Sequence, residues 1–149
     1  MDAGTTPIRP GASAPTARPE LSVGAVAVAD DHILLIRRGR GPSQGEWSVP
    51  GGRVEPGETL AEAVVRELRE ETGLEAVCDT LLGWVERIGD GYHFVILDFL
   101  VTIVDDGDPV AGDDAAEAAW VALADVAELS LVEGMAEFLH DHGILPTFS

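Results

Sequence analysis

Three glutamates recur at helical spacing in the middle of the chain. Glu67, Glu70 and Glu71 stand at positions i, i+3 and i+4, so a helix would place their carboxylates on one face. An oxygen-only cluster of this kind suits a hard divalent cation, Mg²⁺ or Mn²⁺, which is usually shared with substrate phosphates. A solvated acidic helix face is the competing interpretation, and the spacing by itself leaves both open.

The elements that would hold these carboxylates are a loop and a helix. Thr59 and Glu62 have the spacing of a capping box, in which each side chain bonds the other residue's backbone N–H. Gly73 follows where a helix commonly ends on a left-handed residue. Apolar residues recur every four positions between these ends and predict the buried stripe of the helix: Leu60, Val64 and Leu68.

Around this helix the chain has short apolar strands separated by turns. Residues 21–30 and 32–38 predict a hairpin with its turn at Asp30 and Asp31. The other predicted elements are strands at 46–50, 77–85, 93–104 and 118–123 and a short helix over 131–143. Hairpins beside a well-marked helix, in place of regular βαβ units, predict an α/β (α+β) fold with a mixed central sheet packed between helices.

The composition limits the classes of partner. The chain has 149 residues, 46% of them hydrophobic, and a formal charge of -18 at pH 7, so it should fold as a strongly anionic domain. All nine basic residues are arginine, and four of them fall in the short stretch just before the predicted helix: Arg37, Arg38, Arg40 and Arg53. Since no basic stripe remains elsewhere, we expect no binding to nucleic acid and none to an anionic membrane.

Two further features bear on location and domain organisation. Cys78 is the single cysteine, which excludes an intramolecular disulfide, and no apolar run approaches the roughly 20 residues that span a bilayer. The N-terminus lacks the pattern of a secretory signal, so a reducing, cytoplasmic setting is expected. Residues 1–20 are rich in Pro, Ala, Thr and Gly and predict a flexible tail, followed by a single domain over 21–149.

The order of residues around the glutamates carries a specific signature. Gly52, five residues, Glu58 and seven residues are followed by the run Arg66-Glu-Leu-Arg-Glu-Glu-Thr-Gly-Leu74. This segment resembles the signature of the Nudix hydrolases at every defined position. The similarity extends over roughly residues 21 to 142, towards short members described as ADP-ribose pyrophosphatases. It implies a Nudix-type α/β/α sandwich and hydrolysis of a diphosphate bridge.

The resemblance also implies roles for individual residues. Glu70 and Glu71 would bind the metal together with the backbone carbonyl of Gly51, and Glu67 would be a further ligand or the base that activates water. Arg66 would be a catalytic residue that orients the glutamates, and Glu58 would support the loop. The implied cofactor is Mg²⁺, with Mn²⁺ as a substitute.

Arginine suits the remaining phosphate contacts because its planar fork bonds two oxygens at once. Arg38 is favoured over Arg37, since neighbouring strand residues face opposite ways. Trp47, just before the metal loop, could line the substrate pocket, although a tryptophan in a strand is more often part of the core. Many Nudix enzymes also use an acid from a downstream loop, and the candidates here stay open: Asp113, Asp114 and Glu117.

The substrate implied by the resemblance is a small nucleoside diphosphate derivative. ADP-ribose, cut to AMP and ribose 5-phosphate, is favoured by overall similarity. Many ADP-ribose-specific members have a proline about fifteen residues after the motif, where this chain has Ile88-Gly89-Asp90-Gly91. Cleansing of oxidised nucleotides such as 8-oxo-dGTP is therefore an alternative, and a non-catalytic nucleotide-sugar sensor is another. Exposed strands leave room for a homodimer.

Overall fold

A computed structural model describes residues 17–146 of the chain as a mixed sheet flanked by two helices. The helices are α1 (Leu60–Thr72) and α2 (Met135–Asp141), with a 3-10 helix at Leu123–Glu128. The seven strands are β1 (Glu20–Ala29), β2 (His32–Arg38), β3 (Trp47–Ser48), β4 (Gly51–Arg53), β5 (Ala76–Gly89), β6 (Tyr92–Ile103) and β7 (Ala115–Ala122).

The sheet is organised around β1. Along one edge β1 pairs in parallel with β6, from Glu20 opposite Phe94 to Ala27 opposite Val101. Along the other edge it pairs antiparallel with β4 near its start and with β2 at its end. The sheet continues from β6 to β5 and from β2 to β3 and β7. The observed architecture confirms the predicted mixed sheet.

The two faces of the sheet are buried by different helices. Alternate residues of β1, such as Val23 and Ala25, pack with Val64 and Leu68 of α1 in one cluster, the α1-side core. Val26 faces the opposite way and packs with residues of α2 in a second cluster, the α2-side core. Because side chains alternate between the faces of a strand, this division gives the α/β/α layering.

Several boundaries differ from the prediction. The second helix begins at Met135 and not near residue 131, because Gly134 takes a left-handed conformation with φ of 83° at its N-cap. β5 runs from Ala76 to Gly89 and is longer than predicted, since it pairs with β6 up to the turn. β7 begins at Ala115, three residues earlier than expected. The turn at Asp30 and Asp31 is confirmed.

The N-terminal segment can be compared only in part with the prediction. β1 already includes Glu20, which was assigned to the tail. Residues 1–16, on which most of the tail prediction falls, lie outside the described residues. None of the helices within residues 17–146 has the length and apolar character needed to cross a membrane.

Candidate active site

The helix α1 begins and ends as its sequence predicts. The Thr59 backbone N–H donates to Glu62 Oε1 at 2.8 Å, and the Glu62 N–H donates to Thr59 Oγ1 at 3.1 Å. At the other end Gly73 is left-handed with φ of 75°, and its N–H donates to the carbonyl of Arg69 at 2.8 Å. These caps fix the helical frame, and with it the direction in which the three glutamates project.

Arg66 ties α1 to the loop that precedes it. Its Nε and Nη2 donate to the two carboxylate oxygens of Glu58 at 2.5 and 2.9 Å, and Nη2 also donates to the carbonyl of Arg53 at 3.0 Å. This two-nitrogen contact lowers the pKa of Glu58 to about 2. Glu58 therefore stays charged and holds the loop against the helix, which is the contact that its predicted supporting role requires.

The same guanidinium contacts two of the three glutamates. Arg66 Nη1 donates to Glu67 Oε2 at 3.2 Å and to Glu70 Oε1 at 3.0 Å. The side chain of Glu67 is largely buried, with 15% of its surface exposed, whereas 40% of Glu70 is exposed. Arg66 thus offsets the repulsion between neighbouring carboxylates and fixes their orientation.

Glu71 is the most buried acid of the cluster. It is 8% exposed, and its Oε1 accepts a hydrogen bond from the Gly51 N–H at 2.7 Å. Burial raises the pKa of Glu71 to about 8. The hydrogen bond from Gly51 and, to a smaller extent, the charge of Arg38 oppose this rise, and the charges of Glu67 and Asp113 add to it. The hydrogen bond between Gly51 and Glu71 joins the last turn of α1 directly to the glycine loop.

The glycine loop makes room for Glu67. A Cβ at Gly52 would collide with the Glu67 carboxyl group, so a larger residue there would displace it. Burial raises the pKa of Glu67, with Arg66 opposing and the charges of Glu70 and Asp113 reinforcing the shift. A raised pKa makes a carboxylate a stronger base than an exposed glutamate.

The loop before β7 separates the three candidate downstream acids. Asp114 forms an ion pair with Arg40, and Glu117 pairs with Arg37 at 2.8 Å. Asp113 has a left-handed backbone, with φ of 49°, and its charge raises the pKa of both Glu67 and Glu71. The adjacent Gly112 N–H donates to the carbonyl of Glu71 at 3.2 Å, which holds this loop on α1.

The predicted substrate residues occupy different surroundings. Arg38 acts on the acid cluster, since its charge lowers the pKa of Glu71, and its Nε donates to the Pro42 carbonyl at 3.0 Å. Arg37 is engaged by Glu117 instead. Trp47 packs against the α2-side core, as is usual for a tryptophan in a strand. Among residues 17–146 neither Arg38 nor Arg37 is hydrogen-bonded to the acid cluster, and the link of Arg38 to it is the effect of its charge on the pKa of Glu71.

The site fits a divalent cation in its donor chemistry. Within the described ranges no three His, Cys, Asp or Glu side chains lie close enough together to form a ready-made metal cage. Arg66 helps to explain this, because it holds Glu67 and Glu70 by ion pairs. Glu71 is buried and Glu67 largely so, and burial and nearby acids raise the pKa of both carboxyls. A hard cation would favour their charged forms.

One buried acid was absent from the predicted site. Asp98 lies in the middle of β6 and is 4% exposed. Burial raises its pKa to about 7. The signal that could have found it is a single carboxyl within the apolar run that forms β6, since buried acids are rare without a partner.

Comparison with known proteins adds family relationships to this geometry. The NUDIX domain model matches residues 18–142. An ADP-ribose pyrophosphatase of Methanocaldococcus jannaschii is 40% identical over 115 residues, which cover 75% of this chain and 67% of the relative. An 8-oxo-dGDP phosphatase of Homo sapiens is 45% identical over 67 residues, which cover 45% of this chain and 21% of that protein.

Solved structures show the same architecture. The MutT NUDIX hydrolase from Burkholderia pseudomallei matches with a TM-score of 0.72 at 33% identity, covering 83% of this chain and 98% of the other. The MutT protein from Methanosarcina mazei Go1 matches with a TM-score of 0.76 at 27% identity, covering 87% and 96% of the two chains. The fold is therefore shared with both proteins.

Proposed function

Since the chain belongs to the NUDIX domain family and is a pyrophosphohydrolase of that family, we propose that its substrate is ADP-ribose, cleaved to AMP and ribose 5-phosphate. The observation that carries the chemistry is the contact of Glu67 and Glu71 with the Gly51–Gly52 loop. This contact places two largely buried carboxyl groups close to Arg66. The observation that favours ADP-ribose is the 40% identity with an ADP-ribose pyrophosphatase.

The metal site that we propose consists of Glu67, Glu70, Glu71 and the Gly51 carbonyl. Mg²⁺, or Mn²⁺ in its place, would supply charge neutralisation at the phosphoryl oxygens and a lowered pKa of bound water. Glu67 takes the proton of the attacking water on a carboxylate oxygen. Arg66 keeps Glu67 oriented through the 3.2 Å contact.

Two further residues complete the proposed reaction. Arg38 binds a phosphate oxygen of the substrate, since its charge acts on Glu71 and a guanidinium suits phosphate geometry. Asp113 supplies the downstream acid, because Asp114 and Glu117 are paired with arginines while Asp113 acts on the glutamates. Neither Arg37 nor Trp47 has a comparable link to the acid cluster, although both stay predicted substrate residues.

Hydrolysis of an oxidised nucleotide is the second candidate. The identity with an 8-oxo-dGDP phosphatase over 67 residues favours it, as does the absence of a proline at Ile88–Gly91. Both candidates use the same carboxylates, so the chemistry alone does not separate them. The complete set of motif glutamates argues against a non-catalytic sensor.

The test is product analysis by chromatography after incubation with Mg²⁺ or with EDTA. The panel contains ADP-ribose, 8-oxo-dGTP, 8-oxo-dGDP, unmodified dNTPs, NADH and a dinucleoside polyphosphate. We expect AMP and ribose 5-phosphate as the dominant metal-dependent products, lost in Glu70→Gln and kept in Glu137→Gln, an exposed acid of α2. Release of phosphate or pyrophosphate from the oxidised nucleotides alone would support the second candidate.

The cytoplasmic location and the homodimer are predictions from the sequence. We propose a cytoplasmic protein that acts on small nucleotide derivatives and binds neither nucleic acid nor membranes, with residues 21–149 as one domain. The exposed Trp84 and Ile88 on β5, 60% and 58% exposed, give a homodimer an apolar surface to use. Light scattering across a range of protein concentrations would show whether a dimer forms.

A further inference from the structure

The proposed hydrolysis gives no role to Asp98. Its neighbour Phe99 packs with the α1-side core and Leu100 with the α2-side core, so by alternation Asp98 faces the α2 side. At 4% exposure its carboxyl lies almost entirely below the surface. Burial alone accounts for the raised pKa of Asp98, and no side chain or backbone group within residues 17–146 offsets it by a hydrogen bond.

The strand beside Asp98 is shaped to admit this carboxyl. Asp98 lies opposite Gly24 of β1, and a Cβ at Gly24 would collide with Asp98 Oδ1. Glycine inside a strand destabilises it and often marks a close approach by another group. A buried carboxyl without a partner also destabilises the fold. Glycine and a buried carboxyl are each unfavourable in a strand, and the close approach between them is possible only because Gly24 has no side chain.

Asp98 lies close to the proposed phosphate site. Gly24 pairs with Gly51 on its other side, so Gly51, Gly24 and Asp98 form one row across three strands. At about 4.8 Å between neighbouring strands, the backbones of Gly51 and Asp98 are about 10 Å apart. This separation suits a nucleoside whose phosphate is bound at the glycine loop and whose base reaches β6.

An aromatic pair lies farther along the same face of β6. The Arg53 guanidinium lies 6.0 Å from the centroid of the Phe94 ring, and Tyr92 stacks on Phe94 at 5.8 Å. Phe94 lies on the same face of β6 four residues before Asp98, about 13 Å away at the usual rise of a strand. Aromatic rings and guanidinium planes stack favourably with nucleobases.

We propose that Asp98 is a specificity-determining residue whose carboxyl accepts a hydrogen bond from the exocyclic amino group of the substrate's nucleobase. The inference rests on the proposed function, because the phosphate at the Gly51 loop places the base. It goes further by assigning the recognition of an amino-bearing base to one residue outside the motif. A buried carboxyl supplies strong discrimination, since a base without the amino group leaves it unpaired.

The test uses two pairs of nucleotides that differ only in an exocyclic amino group: AMP against purine riboside 5′-monophosphate, and GMP against IMP. Isothermal titration calorimetry with Mg²⁺ present measures the Kd of each. In at least one pair we expect the wild-type protein to bind the amino-bearing member about 10- to 100-fold more tightly. Asp98→Ala should abolish the difference, and Asp98→Asn should leave an intermediate one, because neutral acceptors bond less strongly.

Glu86→Gln is the matched control. Glu86 is an exposed acid of the neighbouring strand β5 and faces away from Asp98, so its substitution should leave the ratio of Kd values unchanged. Gly24→Ala provides a second perturbation that displaces the carboxyl without removing it, and it should also reduce the ratio. Circular dichroism confirms that each variant is folded before its binding is compared.

Two outcomes would overturn the inference: neither pair is discriminated by the wild-type protein, or folded Asp98→Ala keeps the discrimination. Failure of the proposed function looks different, since the wild-type protein would then release no AMP and ribose 5-phosphate from ADP-ribose. If hydrolysis persists while Asp98→Ala retains the wild-type ratio of Kd values, only the role of Asp98 is wrong.

Discussion

Replacement of Asp98 by asparagine should stabilise the protein, and the gain should depend on pH. Burial raises the pKa of Asp98 from its usual 3.8 to about 7. In the unfolded chain the carboxyl loses its proton near pH 4, whereas in the folded protein it keeps the proton until near pH 7. Between these values unfolding releases a proton, so the free energy of unfolding falls as pH rises.

The size of the effect follows from the same two values. At about 1.4 kcal/mol for each pKa unit, the change from 3.8 to about 7 corresponds to at most about 4 kcal/mol. The favourable contribution is fully present below pH 4 and is lost by pH 8. Asparagine has nearly the same shape but does not ionise. We therefore expect Asp98→Asn to match the wild-type protein at pH 4.5 within about 1 kcal/mol and to exceed it by about 2–4 kcal/mol at pH 8.

The assay is urea unfolding in EDTA at half-unit pH intervals from 4.5 to 8.5, followed by tryptophan fluorescence. Glu71 also titrates in this range, with a folded pKa of about 8. Because Glu71 is present in both proteins, the difference in free energy between them isolates Asp98. A difference that stays constant from pH 4.5 to 8.5 would show that Asp98 is not buried in an unpaired state, and the reasoning would fail.

Three further outcomes are expected. Thr59→Ala removes one hydrogen bond of the capping box and should lower the free energy of unfolding by about 1 kcal/mol in urea titrations, with kcat at 25 °C unchanged; a loss of kcat without a loss of stability would contradict this. Arg66→Lys cannot reproduce the two-nitrogen contact with Glu58, so the Mg²⁺ concentration for half-maximal activity should rise about tenfold. Asp113→Asn should lower kcat/KM about 100-fold, whereas Asp114→Asn, which breaks an ion pair with Arg40, should lower it less than threefold; equal effects of the two would refute the assignment of Asp113.

The best-predicted features are those with local physical causes. The capping box at Thr59, the C-cap at Gly73 and the apolar stripe of α1 each depend on residues within a few positions of one another. The mixed sheet was also predicted, because alternating apolar residues and hairpin turns identify strands locally.

The features that the sequence left open depend on residues far apart in the chain. The proposal of Asp113 among the downstream acids rests on two ion pairs that the sequence does not reveal, Glu117 with Arg37 and Asp114 with Arg40. The start of α2 depended on the left-handed Gly134, which looked like part of a continuous amphipathic run. Asp98 could not be assigned, because its burial follows from the pairing of β6 with β1.

The pairing of β1 with β6 also has a consequence for synthesis of the chain. β1 emerges early from the ribosome and can form its hairpin with β2 at once, but its parallel partner emerges only after residue 103 has been added. Until then one edge of an apolar strand has no partner, and such an edge can pair with another nascent chain. The charge of -18 helps to keep neighbouring chains apart during this interval. Growth at low temperature slows both translation and collisions between chains. The yield of folded protein under such growth therefore depends on this interval more than on the stability of the native fold.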